Sequence, residues 1–482
     1  MTAPVTSAIW TSSAIAAAVG GEASADFEVG GVAFDSREIG PGDLFFALKG
    51  EQSDGHLYVD DIYTAGGAGA VVSEPVDGPH ILVPDTTKAL SDLAIASRVR
   101  TDAKIIGVTG SVGKTGTKEA LFAALNRASM GKSHRSVKSY NNHVGVPLSL
   151  SRMPAGCQYG IFEMGMNHAG ELAQLTRLVR PDVAIITAIA PAHIGHFSDV
   201  EAIADAKAEI FQGLTHEGTA IIPYDSDHYQ RLRKAALRHT KKVVTFGFDA
   251  DADVRAIDVV PAQGGGSLVT ASFRDDGEGD RSLCFTVAEP GKHWVSNALA
   301  ILAAVRAVGG DLASAGLALA ELQGLDGRGR RHQIELKQGE PNTGRALLID
   351  ESYNANPVSM KATLGQLARE NCGGKKIVIL GAMGELGDQA QTYHEALADD
   401  IVASGAQTII LVGDEMAYTS AKLAEIVSEK LDHTPEISHV AGSSEALTEV
   451  AGEIGDEDVL LIKGSNYLGL SKVVTALVGG EY

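Results

Sequence analysis

The segment Gly107-Val108-Thr109-Gly110-Ser111-Val112-Gly113-Lys114-Thr115 carries the most explicit chemistry in the chain. Glycines let consecutive backbone N–H groups point at phosphate oxygens, and a helix starting where such a loop ends adds the positive end of its dipole. Lys114 would reach the β- and γ-phosphates, and the Thr115 hydroxyl would ligate Mg2+. A strict Walker motif has its first glycine at position 108, which is valine here. Gly-Lys-Thr between a strand and a helix still specifies a nucleoside triphosphate site, since an ordinary βα turn requires neither Lys nor Thr. A metal-binding carboxylate belongs on a neighbouring strand, and Glu163 closes the apolar run Tyr159-Gly160-Ile161-Phe162, where a strand's C-terminal end is expected. Two further residues are weaker candidates. His193, in Ala190-Pro191-Ala192-His193, reads by itself as structural or solvated, and Lys207, in a helical stretch at 204–210, as an exposed surface charge.

The elements that must position these residues follow from periodicity. Short apolar runs at 104–108, 159–162, 183–186, 219–222 and 242–245 read as strands, and helical patterns such as 118–128 separate most of them. Such alternation specifies a parallel, doubly wound sheet. Residues 251–289 are richer in strand and turn signals, and 294–308 returns to helix. Before this unit, short strands at 32–34, 44–48, 71–72 and 81–83 alternate with turns, ahead of a helix over 87–100. After the Gly/Arg-rich hinge at 324–331, strands at 346–349, 376–380, 408–412 and 458–462 alternate with helices. The expected fold is therefore α/β in three domains: a small N-terminal α/β domain over 1–86, a central phosphate-loop domain with a parallel sheet over 87–328, and a C-terminal Rossmann-like domain over 329–482.

Composition sets limits on partners. The chain has 482 residues, enough for about three domains. Its 40 Lys and Arg against 61 Asp and Glu give a net charge of −21, so nucleic acid is not an expected partner. The three cysteines, Cys157, Cys284 and Cys372, lack metal-ligand spacing and suit a reducing cytoplasm. The N-terminal small-residue run has no basic n-region, and no apolar stretch is long enough to span a membrane. From these residues alone, a phosphotransferase or a nucleotide-gated scaffold stays open beside an enzyme that activates a carboxylate.

Taken in order, the segments resemble the Mur ligase family of ATP-dependent amide-forming enzymes. The family's T-G-x-x-G-K-T motif matches Thr109 to Thr115, and its Asn-rich loop resembles Tyr140-Asn141-Asn142-His143-Val144-Gly145-Val146-Pro147. The resemblance makes Glu163 and His193 metal ligands and Lys207 a carbamylated lysine, which gives two Mg2+ ions. It also makes Lys114, Lys207 and His193 catalytic. Gly291-Lys292-His293-Trp294-Val295-Ser296-Asn297-Ala298 is similar to the H-x-x-x-N-A motif, so Asn297 would contact the adenine nucleotide, along with Arg328 and with Asp350 on the ribose. Asp35-Ser36-Arg37 sits where relatives contact a UDP-sugar. Asp350-Glu351-Ser352-Tyr353-Asn354-Ala355-Asn356-Pro357 narrows the resemblance to the member that joins D-alanyl-D-alanine to UDP-N-acetylmuramoyl-tripeptide. The Asp-Asn-Pro-Arg string of the member adding the third residue does not occur. What this implies is a monomeric cytoplasmic enzyme with no nucleic-acid or membrane partner, and substrate contacts at Ser36, Arg37, Asn141, Asn142, Tyr353, Asn354 and Asn356. The tripeptide would pass through an acyl phosphate, with hinge closure near 324–331.

Overall fold

A computed structural model describes residues 8–50, 53–263, 265–275, 279–322, 324–336, 344–430 and 434–480. The start of the N-terminal apolar run, residues 1–7, lies outside them. Three sheets organise the chain. The N-terminal sheet has five strands in the order Glu22–Ala23, His80–Leu82, Gly69–Val72, Asp43–Phe46, Gly31–Ala33, with the last four mutually parallel. Helix Thr86–Val99, capped by the Asp85 carboxylate on the Lys88 N–H at 2.9 Å, packs Ala89, Leu90 and Leu93 into the same apolar cluster as Trp10, Val29 and Phe46.

The central sheet has nine strands. Lys104–Thr109 lies in its interior, between Tyr159–Glu163 and Val183–Ile186, both parallel to it. The chain leaves this strand toward one side of the sheet and later returns on the other, so the crevice at the C-terminal ends of these three strands is the topological switch point. The registers are tight there, with Glu163 opposite Val108 and Ile186 opposite Thr109. The strand-rich stretch after 251 extends the sheet with Val254–Pro261, Ser267–Phe273 and Arg281–Val287, the last two pairings being antiparallel. All five strands expected over 104–245 are present. The helix expected at 118–128 starts earlier, as Lys114–Ala128, because the phosphate loop runs directly into its first turn.

In the C-terminal unit, Arg345–Glu351, Val459–Lys463, Lys376–Gly381, Thr408–Val412 and Glu436–Val440 are parallel, and Arg330–Glu335 pairs antiparallel at the edge. One buried apolar cluster runs without a break from Ile105 and Phe162 of the central sheet to Val378 and Leu380 of the C-terminal one. The two units are thus packed together and not merely tethered. Among the described residues no helix is long and apolar enough to cross a membrane.

Phe162 is fully buried in that shared cluster, directly before Glu163. Phe162→Ala is expected to destabilise the central domain by about 3–5 kcal/mol, read from urea unfolding by circular dichroism. A loss below about 1 kcal/mol would mean that the core closes over the cavity.

Candidate active site

The phosphate loop owes its shape to two glycines. Gly110 has φ +154°, and a Cβ there would lie 1.9 Å from Thr187 Oγ1; Gly113 has φ +84°, and its Cβ would lie 2.9 Å from the Asn297 amide. The loop is pinned from behind by the segment following Val183–Ile186. Ser111 N–H donates to the Ala188 carbonyl at 2.8 Å, the Ser111 hydroxyl to the Ala190 carbonyl at 2.9 Å, and the Thr187 hydroxyl to the Val112 carbonyl at 2.6 Å. Helix Lys114–Ala128 then starts on Gly113 with no side chain capping it, so its first N–H groups stay available to an anion. Lys114 folds back and donates to the Gly110 carbonyl at 2.6 Å. Burial pushes its amine below the usual ammonium range, against the pull of Glu163 and with help from Arg328.

Glu163 is 1% exposed at the end of its strand. Thr115 Oγ1 donates to its Oε2 at 2.8 Å and Asn141 Nδ2 to its Oε1 at 2.7 Å. The loop carrying Asn141 is held by Lys118, whose fully buried ammonium donates to the carbonyls of Ser136 at 3.1 Å and Lys138 at 2.7 Å. His193 has φ +60° and its Nδ1 faces the Glu385 carboxylate of the C-terminal unit.

The expectation that Lys207 is an exposed surface charge is wrong. It is 1% exposed, because helix Val200–Ala208 turns it inward with Ile203 and Ala204. Its Nζ makes no hydrogen bond or ion pair among the described residues. Burial, reinforced by the charge of Lys114, pushes it well below the usual ammonium range.

A cleft of about 390 Å³ opens in front of these groups. Its central-domain wall includes Ser111, Val112, Gly113, Lys114, Asn141, Glu163, His193 and Asn297, and its C-terminal wall Arg328, Tyr353, Asn354 and Asn356. Arg328 stacks over the Tyr353 ring at 4.0 Å and donates to the Ser139 hydroxyl of the opposite wall at 3.3 Å. Thr109, Gly110 and Thr115 adjoin the lining through Ser111, Lys114 and Glu163, and Lys207 is close enough to Lys114 to feel its charge. Asp350 stands between the lining residues Gly327 and Glu351 without itself lining the cleft: its carboxylate accepts from Gly327 N–H at 2.6 Å and from the Ser352 hydroxyl at 2.6 Å, which ties the hinge to the strand. Asn142 uses its side-chain oxygen on the N–H groups of Val144 and Gly145. Ser36 and Arg37 lie on the N-terminal unit outside this cleft, with Arg37 paired to Asp35.

Several lining residues escaped the sequence reading. His293 and Trp294 precede Asn297 by four and three positions on one helix, so helical spacing carried that signal. Glu351 and Lys463, joined at 3.3 Å across adjacent strands, could be paired only once strand order was known.

The donor set fits a hard divalent cation held partly by its substrate. Among the described residues no three His, Cys, Asp or Glu side chains converge. Thr115 and Glu163 offer oxygen ligands, with phosphate and water to complete the shell, the usual arrangement for Mg2+. The partnerless Lys207 amine suits a lysine that carries a modification.

Three family models match: the Mur ligase family catalytic domain over residues 28–98, the Mur ligase middle domain over 108–305, and the Mur ligase glutamate ligase domain over 334–466. The UDP-N-acetylmuramoyl-tripeptide–D-alanyl-D-alanine ligase of Escherichia coli is 33% identical, with 94% of each chain covered. That of Bacillus subtilis is also 33% identical, with 93% of each chain covered. Among solved structures, MurF from Acinetobacter baumannii superposes with a TM-score of 0.79 at 28% identity, covering 98% of this chain and 99% of the other. MurF ligase from Thermotoga maritima in complex with ADP shares the fold, with a TM-score of 0.73 at 24% identity, covering 94% of this chain and 97% of the other.

Gly113→Ala places a methyl against Asn297 and strains a left-handed backbone. It is expected to weaken ATP binding at least tenfold in calorimetric titration while leaving the circular dichroism spectrum unchanged. Unaltered affinity would exclude this loop as the phosphate site.

Proposed function

The chain belongs to the Mur ligase family, and on that premise we propose that it is an ATP-dependent amide ligase that adds D-alanyl-D-alanine to UDP-N-acetylmuramoyl-tripeptide in peptidoglycan precursor synthesis. The observation that carries this reading is the cleft itself. A phosphate loop and a buried carboxylate face a second wall rich in Asn, Tyr and Arg, so a phosphorylated intermediate can meet an acceptor away from water.

Amide formation needs a carboxylate with a leaving group. The tripeptide's terminal carboxylate oxygen attacks the γ-phosphorus of ATP, the bond to the β-phosphate oxygen breaks, and ADP leaves. The dipeptide's free amine then attacks the carbonyl carbon of the acyl phosphate, the carbon–oxygen bond to phosphate breaks, and the nitrogen loses a proton. The first step brings an anion against a polyanion, so charge neutralisation dominates the barrier. Loop N–H groups and the helix N-terminus hold the phosphates. Lys114, released from the Gly110 carbonyl, follows the charge that develops on the γ-phosphate. Arg328 supplies a second cation from the far wall, and Asn297 positions the nucleotide.

Mg2+ would neutralise polyphosphate charge when bound, with one ion held by Thr115 and Glu163 and a second by His193 and a carbamylated Lys207. Carbamylation needs a neutral amine, which burial of Lys207 beside Lys114 favours. Asp350 orders the hinge that carries Arg328, and Ser36 and Arg37 on the N-terminal domain, residues 1–86, contact the UDP-sugar. Residues 87–328 form the ATP-binding domain and 329–482 the ligase domain, with rotation at 324–331 admitting substrates. One chain completes the cleft, which supports a monomer. ATP consumption and three free thiols fit a reducing cytoplasm.

Lys207→Ala is expected to lose at least a hundredfold in turnover and to regain part of it with added formate or acetate. Wild-type turnover without such rescue would exclude the carbamate. Phosphate release with ATP, Mg2+ and UDP-N-acetylmuramoyl-tripeptide is expected to require D-alanyl-D-alanine, with pentapeptide product seen by mass. Release independent of the dipeptide and lacking that product would favour a phosphotransferase.

A further inference from the structure

A chain of net charge −21 keeps one strongly cationic face. Six of its 40 Lys and Arg residues (Arg231, Arg233, Lys234, Arg238, Lys241 and Lys242) fall within twelve positions, and no Asp or Glu occurs between Asp227 and Asp249. Helix Tyr229–Ala236 is seated by Leu232 and Ala236, both fully buried, which leaves its Arg231, Arg233 and Lys234 exposed, and Arg238, Lys241 and Lys242 beyond its end are exposed as well. Arg231 pairs with Asp205 at 2.8 Å and Lys242 with Glu217 at 2.7 Å. Arg233, Lys234, Arg238 and Lys241 form no ion pair among the described residues. Leu237 stands among them, 46% exposed. Beside them lies a groove of about 560 Å³, bordered by Lys234, Arg238 and His239. The acidic groups in this groove are already engaged: Asp205 by Arg231, and Glu209 by the N–H groups of Gly170 and Ala173 at 2.7 and 3.1 Å.

We propose that this face docks the protein reversibly on a membrane surface rich in anionic phospholipid. Clusters of four to eight Lys and Arg on a helix surface are the electrostatic match for anionic headgroups, and the groove offers lodging for a headgroup phosphate. Leu237 supplies one apolar contact at the headgroup boundary, enough for weak, reversible association. The chain's overall negative charge does not prevent this. At physiological salt the Debye length is about 8 Å, so acidic groups elsewhere are screened while cations touching the surface are not. Other anionic partners fit less well. Tyr224, ahead of this helix, and Tyr229, its first residue, pack on each other with ring centroids 4.5 Å apart, so they are engaged and not free to stack on nucleic-acid bases. A single leucine is also too little for the apolar centre of a protein interface.

The test is sedimentation of the full chain with vesicles of phosphatidylcholine alone or mixed equally with phosphatidylglycerol. It compares wild type, the combined variant Arg233→Gln, Lys234→Gln, Arg238→Gln and Lys241→Gln, and Leu237→Ser. None of these residues lines the catalytic cleft, so acceptor-dependent ATP turnover should stay unchanged. Wild type is expected to bind the mixed vesicles at about 0.15 M salt, to ignore pure phosphatidylcholine and to detach as salt rises. The combined variant should bind at least tenfold more weakly, and Leu237→Ser severalfold. No binding of wild type to the mixed vesicles, or equal binding by the combined variant, overturns the proposal. So does cation-dependent binding to polyglutamate or RNA by a protein that leaves the vesicles untouched, which would assign the face to another class of partner.

Discussion

Everything at the cleft hangs on the burial of one carboxylate. Glu163 is 1% exposed, and a carboxylate so placed is tolerable only if donors meet both of its oxygens. Thr115 meets one and Asn141 the other. Those two bonds fix the first turn of the phosphate-loop helix and the Asn-rich loop relative to the central strand. Lys118 in turn fixes the Asn-rich loop through two carbonyls. Removing either donor would leave a buried charge half satisfied, a cost of about 1–3 kcal/mol or more for a charged group. Strand order, loop conformation and ligand geometry are therefore one problem with one solution.

Function follows from where this solution sits. The switch point of a parallel sheet opens a crevice, and the phosphate loop fills one side of it. The other side is supplied by a second sheet whose core is continuous with the first. Arg328 reaches from that second wall to Ser139, and Glu385 reaches to His193, so the walls are coupled by contacts across the cleft. A site built from two walls can hold an activated acyl group on one and offer an acceptor from the other, which a single-walled nucleotide site cannot.

How far the sequence disclosed this depended on whether the deciding interaction was local. The phosphate loop was legible because glycine conformation, helix start and the Lys-Thr pair all lie within seven residues. Glu163 was legible because an apolar strand must end at the crevice. Lys207 was misjudged from its residue type, although Ile203 and Ala204, four and three positions before it, marked the buried face of its helix. Asp350 and Asn142 illustrate what was beyond reach: Asp350 accepts from Gly327 N–H and the Ser352 hydroxyl, and Asn142 from the N–H groups of Val144 and Gly145, positioning contacts that only the folded hinge and loop bring within range. The Glu351–Lys463 pair and the His193–Glu385 contact join residues more than a hundred positions apart, and no periodicity announces such pairs.

The central claim is that the tripeptide carboxylate is phosphorylated in this cleft before the amide forms. Tripeptide substrate labelled with oxygen-18 in its terminal carboxylate, turned over with ATP and D-alanyl-D-alanine, tests it most directly. Mass analysis should find one label atom in the inorganic phosphate released for each amide formed, because the bridging oxygen of the acyl phosphate leaves with phosphorus. Label in AMP, or phosphate without label alongside amide product, would contradict it.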